Sequence, residues 1–223
     1  MPVEKESDVK QALLNTAMEL FYKKGYDATS VNAIIEKVGV SKGAFYHYFK
    51  SKEEVLEAVV EQHIEKEIEI THDIAANNDL NAIEKLSRLI NEVLGYKTLN
   101  IKKRLKISSV LQDEGNVKFQ RKVVENKFKI LHLPYRVIIE QGISEGTFHP
   151  FHTEETVEQI MHLIVILNSA VTRLAANIEE KPHNVEIIVQ KIEAYGDAIE
   201  RILGIQRGSI NLSEIIKIFE KHL

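Results

Sequence analysis

Ring-bearing, hydrogen-bonding and basic side chains are concentrated in one short stretch of this sequence, GVSKGAFYHYFKSKEEV, at residues 39–55. Three of its rings, on Tyr46, His47 and Tyr48, are consecutive. Successive residues of an α-helix point in directions about 100° apart, so these three rings cannot all face a protein core. At least one of them is therefore predicted to face outward, where it can bind a partner.

The stretch separates into an inner and an outer face. Val40, Phe45 and Phe49 are apolar and are predicted to pack against the preceding helices. The side chains that remain for the outer face are Lys42, Gly43, Ala44, Tyr46, His47 and Lys50. Small residues allow close approach, the rings carry hydrogen-bond donors, and the lysines add positive charge. This combination suits a helix in the DNA major groove, with base edges near its start and phosphates at its rim. The alternative is an ordinary solvated face rich in lysine.

Helical periodicity predicts the elements that position this stretch. Gly25 ends a first helix, whose apolar residues recur three and four positions apart: Leu13, Leu14, Ala17, Leu20 and Phe21. A second helix begins at residues 29–31, where a hydroxyl side chain can act as the N-cap, and ends at Gly39. Ser41 can cap a third, short helix that continues to about Tyr48. Two short helices joined by a glycine-containing turn form the helix-turn-helix arrangement.

The rest of the chain is predicted to form a larger helical bundle. Ser51 and Glu54 form a capping-box pattern at the start of a long fourth helix that reaches roughly Ala75. Gly95 marks one of the breaks between the helices that follow, at about 79–95, 99–112, 116–141, 153–179 and 183–203. No alternating strand pattern persists, so the predicted fold class is all-α. A helix-turn-helix domain is expected at 1–52 and a larger domain at 53–223.

The last residues, 209–223, carry an apolar stripe of Leu212, Ile215, Ile216, Phe219 and Leu223. The stripe predicts a short amphipathic helix that docks on its own bundle, with a partner subunit as the alternative. A membrane surface suits this helix less, because its lysines are offset by glutamates.

The composition excludes several classes of chemistry. The 223 residues carry a net charge of −4 and contain no cysteine, which rules out disulfides, thiol catalysis and cysteine-based metal sites. The sequence has no glycine-rich phosphate loop and no nucleophile elbow, so we expect no catalytic residue, metal site, cofactor or enzyme activity. Its polar N-terminus lacks a signal-peptide core, and no apolar run is long enough to span a bilayer. We therefore expect a cytoplasmic protein that does not use a membrane.

From Lys10 to Val55 the sequence resembles the signature of the tetracycline-repressor (TetR) family of bacterial transcription regulators. The resemblance is gapless from the first helix to the start of the fourth. The matching positions include Ala17, Phe21, Gly25, Thr29, Ile34, Gly39, Val40, Gly43, Tyr46, Phe49 and Lys52. The remainder of the chain is similar to the family only in its predicted all-helical architecture.

The resemblance implies DNA contacts at particular positions of the first domain. Thr29, at the start of the second helix, and Lys10, near the start of the first, would contact phosphates. Residues 41–43 would lie near base edges, and residues 46–48 would contact phosphates or the groove. Lys52 would contact the DNA backbone from the start of the fourth helix. The full predicted set is Lys10, Thr29, Ser41, Lys42, Gly43, Ala44, Tyr46, His47, Tyr48, Lys50 and Lys52.

The resemblance also implies a homodimer and an effector cavity in the larger domain. The dimer interface is expected on the last two core helices, at Val157, Met161, Ile164, Ile188, Ile192, Tyr195 and Ile199. The alternative is that these stripes line the core of the monomer. Polar side chains within apolar stripes are the candidate effector contacts: His132, Tyr135, His162, Asn168 and Thr172. The abundance of Ile, Leu and Val favours an apolar or amphipathic effector.

Together these expectations describe a dimeric, ligand-responsive repressor that binds a palindromic operator and is released by a small effector. Its partners would be double-stranded operator DNA, the effector and a second copy of the chain. One alternative is a DNA-binding architectural or division factor of the same fold, in which the larger domain would be closed and filled. Another is an enzyme, in which turnover of a small molecule would accompany binding.

Overall fold

The computed structural model describes residues 3–100 and 117–221 of the chain. All regular structure within those residues is helical, which confirms the all-α prediction. In chain order the described helices are α1 Val3–Lys24, α2 Val31–Val38, α3 Lys42–Tyr48, α4 Lys52–Ala76, α5 Ala82–Leu99, α6 Val117–Ser144, α7 Thr153–Ala175, α8 Asn184–Leu203 and α9 Ser213–Glu220. None of them has the length and apolar content needed to cross a membrane.

The predicted break at Gly95 is not present, because α5 continues through it to Leu99. Gly95 is buried, and a Cβ atom there would lie 3.6 Å from Cδ1 of Ile218 in α9. The glycine therefore lies beneath a packed helix and does not end one. The predicted helix at 99–112 falls almost entirely outside the described residues.

The described residues divide into two compact units, one of residues 3–65 and 117–127 and the other of residues 66–100 and 128–221. The first unit has its own core of Leu13, Leu14, Ala17, Leu20, Phe21, Tyr26, Ile34, Ile35, Phe45, Phe49, Val55, Leu56, Val59 and Val60. The last four of these belong to α4. The first core thus extends beyond the predicted domain boundary at residue 52, because the start of α4 helps to bury α1 and α3.

An ion pair joins α4 to α5 inside the second unit. Oε1 of Glu67 lies 3.0 Å from Nζ of Lys97, and the two side chains are only 8% and 3% exposed. Near the other end of α5, Nζ of Lys85 donates to the backbone oxygen of Ala75 at 2.8 Å. Buried charges are costly unless an opposite charge or a hydrogen-bonding group meets them. These two contacts therefore fix the register of the antiparallel pair α4 and α5.

The stripes assigned from the sequence to a dimer interface lie in the core of the second unit. The side chains that are at most 5% exposed within the single chain are Val157, Met161, Ile164, Ile188, Ile192 and Ile199. A side chain enclosed by its own subunit cannot pack against a partner, so these six are core residues and their assignment to the dimer surface is corrected. Tyr195 is only half-buried and stays a candidate.

The amphipathic helix near the end of the chain docks on its own bundle, as the sequence predicted. Ile215 and Phe219 of α9 are fully buried in the core that α5 and α8 also line. The side chain of Asn91 in α5 donates to the carbonyl of Asn211 at 2.7 Å and accepts from the N–H of Ile215 at 3.0 Å. Both apolar burial and paired backbone groups therefore hold α9 in place.

The connection before α9 is held by α8. The carboxylate of Glu200 accepts hydrogen bonds from the N–H groups of Gly208 at 2.9 Å and Ile210 at 2.7 Å. A Cβ atom on Gly196 would lie 2.7 Å from Cδ1 of Leu212, so the missing side chain lets the connection approach α8 closely. Charge-assisted bonds of this kind are among the stronger hydrogen bonds in proteins.

Candidate nucleic-acid interface

The turn between α2 and α3 is set by its capping residues. Ser30 accepts a hydrogen bond from the N–H of Ala33 at 3.1 Å and begins α2. Gly39 ends α2 with a φ of 79°, a left-handed conformation that glycine adopts without strain. Two residues later Ser41 accepts from the N–H of Ala44 at 3.1 Å and begins α3. Capping therefore builds the helix-turn-helix that the sequence predicted.

Phe45 and Phe49 fix the orientation of α3. Phe45 lies in α3 and Phe49 directly follows the helix, four residues later, so both side chains point to the same side. Their ring centroids are 6.0 Å apart, and the two side chains are 0% and 2% exposed. Ile34 of α2 is fully buried in the same core. Since one face of α3 is locked into this core, the opposite face must point into solvent.

That opposite face carries most of the residues predicted from the sequence. Ala44 and Tyr48 are half-buried, and the exposed residues are Ser41, Lys42, Gly43, Tyr46, His47 and Lys50. The ring of Tyr46 lies edge-on against Phe45, with centroids 5.3 Å apart. The rigid phenyl group therefore holds the hydroxyl of Tyr46 at a defined place on the surface.

The first unit exposes a glycine and several lysines that a partner can reach. A Cβ atom on Gly43 would approach only Oγ of Ser41, at 3.9 Å, so the fold itself does not require glycine there. The missing side chain leaves room for a partner. Lys10, Lys42 and Lys50 are exposed, and no carboxylate among the described residues pairs with their ammonium groups. These lysines are available to an anion.

Two other lysines of the first unit, Lys23 and Lys37, are already paired. Oε1 of Glu19 lies 2.7 Å from Nζ of Lys23 and 2.8 Å from Nζ of Lys37. The two ammonium groups lower the pKa of Glu19 to about 2. The pair with Lys37 ties α1 to α2, and both pairs neutralise lysine charge within the unit.

Thr29 faces the core, contrary to its predicted phosphate contact. It is only 2% exposed, and its hydroxyl donates to the carbonyl of Gly25 at 2.8 Å. The exposed hydroxyl at the start of α2 belongs to the next residue, Ser30. The sequence could not separate the two, because either hydroxyl can serve as an N-cap.

Lys52 binds the first unit's own turn, whereas the resemblance implied a contact to the DNA backbone. Its Nζ lies 2.8 Å from the carbonyl oxygen of Tyr26, 2.9 Å from that of Thr29 and 4.2 Å from the centre of the Tyr26 ring. Burial and the neighbouring Glu53 raise the pKa of Tyr26 to about 12, so the phenol stays neutral. Lys52 therefore positions the turn that leads into α2.

Two of the five candidate effector contacts lie at the surface. His162 is exposed, and its Nδ1 lies 2.8 Å from the carbonyl oxygen of Glu158. Nε2 of His132 lies 3.4 Å from Oε2 of Glu154, with about a third of the side chain exposed at 32%. Both rings interact with their own helix or the neighbouring one at the surface, so their assignment to an interior cavity is corrected.

The other three candidates are enclosed to different degrees. Tyr135 is 4% exposed, and burial together with the charge of Glu67 raises the pKa of its phenol. Thr172 is half-buried and donates its hydroxyl to the backbone carbonyl of Asn168 at 2.8 Å. Asn168 is 6% exposed, and neither atom of its amide group has a hydrogen-bond partner. Asn168 is therefore the candidate whose amide group makes no hydrogen bond within the described part of the chain.

Sequence reasoning missed a groove of about 630 Å³ between α4, α5 and α9. Ile70, Ile74, Tyr96, Leu99 and Ile218 supply much of its lining, with Asp73, Glu92 and Glu214 among the polar residues. The groove exists because α9 docks beside α5. No local pattern in α4 or α5 signals it, since its third wall comes from residues far along the chain.

Comparison with known proteins identifies the first unit. Residues 13–59 match the model of the bacterial regulatory proteins of the tetR family. The match includes both capping serines, the Gly39 turn and all of α3. Residues 13–59 therefore carry the TetR-family domain. The resemblance inferred from residues 10–55 is thereby confirmed.

The first curated relatives match this chain over only part of their length. The Transposon Tn10 TetC protein of Escherichia coli is 38% identical over 102 residues, which are 45% of this chain and 50% of that protein. The chain spans half or less of the length of the first curated relatives that it matches.

Solved structures show the same fold over most of the chain. A bacterial regulatory protein of the tetR family from Rhodococcus RHA1 has a TM-score of 0.52 and 21% identity, covering 89% of this chain and 98% of that one. SmeT, the repressor of the Stenotrophomonas maltophilia multidrug efflux pump SmeDEF, has a TM-score of 0.59 and 14% identity, covering 92% and 95%. At these identities the likeness concerns the fold alone.

Proposed function

We propose that this TetR-family chain is a transcriptional regulator that binds double-stranded DNA through α3. The observation that carries the proposal is the locked orientation of α3, whose start exposes Ser41, Lys42 and Gly43. The first residues of a recognition helix meet base edges in the major groove, and basic residues at its rim meet phosphates. The net charge of −4 means that the DNA-binding surface is a local one.

We further propose that the regulator is a homodimer and reads a palindromic operator, because a twofold dimer presents two copies of α3 to two half-sites. The surface of α7 and α8 offers a candidate interface in place of the buried stripes. Ile166 is 51% exposed, and Ile187, Tyr195 and Ala198 are half-buried. Partly exposed apolar groups of this kind are suited to packing against a second copy.

We infer that a small apolar or amphipathic effector controls the regulator, and that it acts as a repressor. SmeT, which shares the fold, is named as a repressor and was solved in complex with triclosan. In this chain the second unit has a core of mainly aliphatic side chains, and the buried charges of Glu67 and Lys97 already form an ion pair with each other. A core of that kind favours effectors that are mainly apolar.

Selection of duplexes from a random library by the purified full chain tests the proposal. We expect a palindromic consensus whose half-sites are about one helical turn apart or slightly more. Fluorescence anisotropy with the selected duplex should show affinity that falls steeply with salt, because phosphate contacts release counterions. Lys217→Ala, on the exposed side of α9, is the matched control and should bind like the parent. Failure to enrich any sequence would reject the proposal.

A further inference from the structure

Three buried asparagine side chains of the second unit differ in how the fold uses them. Their exposures are 7% for Asn91, 6% for Asn168 and 5% for Asn184. Asn91 uses both amide atoms, because it donates to the carbonyl of Asn211 and accepts from the N–H of Ile215. Asn184 donates to the carbonyl of Leu174 at 2.9 Å. The amide groups of Asn91 and Asn184 therefore form hydrogen bonds that stabilise the second unit.

Asn168 has no such use. Neither its amide nitrogen nor its amide oxygen has a hydrogen-bond partner. Among the described side chains it is the only one in which a donor and an acceptor are both enclosed without a partner. Native proteins keep few buried polar groups unpaired, because such groups lose their bonds to water and gain nothing in return. The partner of Asn168 is therefore expected to come from outside the chain.

A second subunit cannot supply that partner. Asn168 lies on the inward face of α7 with Ile164, Leu167 and Val171, which are at most 5% exposed. The exposed residue of the candidate dimer surface on α7 is Ile166, which points away from that face. Only a molecule small enough to enter the core, such as a water or an effector whose polar end replaces it, can reach the amide of Asn168.

We propose that Asn168 is the polar anchor of the effector, and that the effector is a neutral, mainly apolar molecule whose polar end both donates and accepts a hydrogen bond. This inference rests on the proposed function and specifies its effector. The asparagine amide offers N–H donors and one carbonyl acceptor, which a carboxamide, lactam or alcohol can match. The neighbours Ile164, Leu167 and Val171 are apolar and would leave a charged end without compensation.

The unliganded protein provides the first test, with Asn91 as the matched control. Asn168→Leu removes two unpaired groups at nearly constant volume, so its melting temperature should equal or exceed that of the parent. Asn91→Leu should lower the melting temperature, because it removes the bonds that hold α9. A decrease in Asn168→Leu as large as that in Asn91→Leu would show that the fold already pairs the amide, and would overturn the inference.

Calorimetric titration of the full chain provides the second test, with three probes of similar chain length. Octanamide donates and accepts, methyl octanoate only accepts, and octylamine is charged at neutral pH. We expect octanamide to bind at least about tenfold more tightly than methyl octanoate. Octylamine should show no binding. Asn168→Leu should abolish the preference for the amide. Equal amide binding by the variant and the parent, no binding of the amide to the parent, or a preference for octylamine would each overturn the inference.

The calorimetric result is independent of DNA, so it separates this inference from the proposed function. Amide binding that depends on Asn168, in a chain that selects no DNA sequence, would support the anchor and reject the DNA-binding proposal. Selection of a palindrome by a chain that gives no such binding would do the reverse.

Discussion

The ammonium group of Lys52 lies 2.8 Å from the carbonyl oxygen of Tyr26 and 4.2 Å from the centre of the same residue's ring. One side chain at the start of α4 thereby satisfies the backbone of the turn between α1 and α2 and packs on its aromatic ring. The turn leads directly into Ser30, which is the N-cap of α2. Lys52 therefore acts on the candidate DNA interface through the shape of the first unit.

Lys52→Met keeps the aliphatic stem and removes the charge that binds the turn. We expect the free energy of unfolding to fall by about 1–3 kcal/mol, since charge-assisted hydrogen bonds and a cation–π contact are lost. Urea unfolding followed by circular dichroism measures the change. Lys50→Ala, at an exposed lysine nearby, should leave stability unchanged. Unaltered stability with a smaller salt dependence of DNA binding would instead restore Lys52 as a phosphate contact.

Lys42→Ala should alter which bases the chain prefers. Lys42 is the first residue of α3 and is exposed, so it can reach base edges if α3 enters the major groove. The expected loss is about 1–3 kcal/mol on the preferred operator, with a smaller loss on operators substituted at the contacted position. Anisotropy titrations against the operator and its single-base variants measure this. An equal loss on every sequence would place Lys42 on the phosphates.

Tyr46→Phe should weaken binding to all operators by a similar factor. The substitution removes one hydroxyl and keeps the ring that packs on Phe45, so the fold should not change. A hydroxyl that binds phosphate contributes affinity but no base preference. The same anisotropy series supplies the measurement, with the melting temperature as the control for folding. Binding identical to the parent would mean that this hydroxyl only faces solvent.

Two glutamate substitutions distinguish the core of the second unit from its dimer surface. Ile166→Glu places a charge on a side chain that is 51% exposed, so we expect a folded monomer. Ile192→Glu places a charge on a fully buried side chain, so we expect unfolding of the second unit. Light scattering during size-exclusion chromatography gives the mass, and circular dichroism gives the helix content. A dimeric Ile166→Glu variant would locate the interface elsewhere.

Deletion of residues 209–223 should destabilise the second unit and leave the first unit folded. Full burial of Ile215 and Phe219 is lost, at about 1.5–3 kcal/mol for each side chain, together with the bonds of Asn91 to the segment. Thermal melting and binding of a hydrophobic dye report the exposed surface. Lys217→Ala, which removes only an exposed side chain of α9, is the matched control. A melting temperature unchanged by the deletion would contradict the docked position of α9.

Local signals were enough to predict the helix-turn-helix from the sequence. The cap at Ser41 and the turn at Gly39 depend on residues within four positions of each other, so their pattern specifies their geometry. The capping box at Ser51 was right in one half only. Oγ of Ser51 accepts from the N–H of Glu54, but the Glu54 carboxylate accepts from the N–H of Lys50.

Features that depend on what covers a side chain could not be predicted in the same way. An apolar stripe has the same spacing whether its own core or a partner buries it, which is why Ile192 was assigned to a dimer surface. A histidine within a stripe gives no sign of which side it faces, and His162 proved to be exposed. The groove beside α5 depends on α9, which is more than a hundred residues away along the chain.

The hydrogen bonds of Asn91 join residues that are 120 and 124 positions apart in the chain. The ribosome therefore synthesises α5 long before it synthesises Asn211 and Ile215, whose backbone groups Asn91 binds. Throughout that interval the nascent chain carries an uncovered apolar face where Phe219 will pack, and such faces attract chaperones and promote aggregation. The core of the second unit can thus be completed only late in synthesis. A truncated mRNA would yield a protein with an exposed apolar surface on α5.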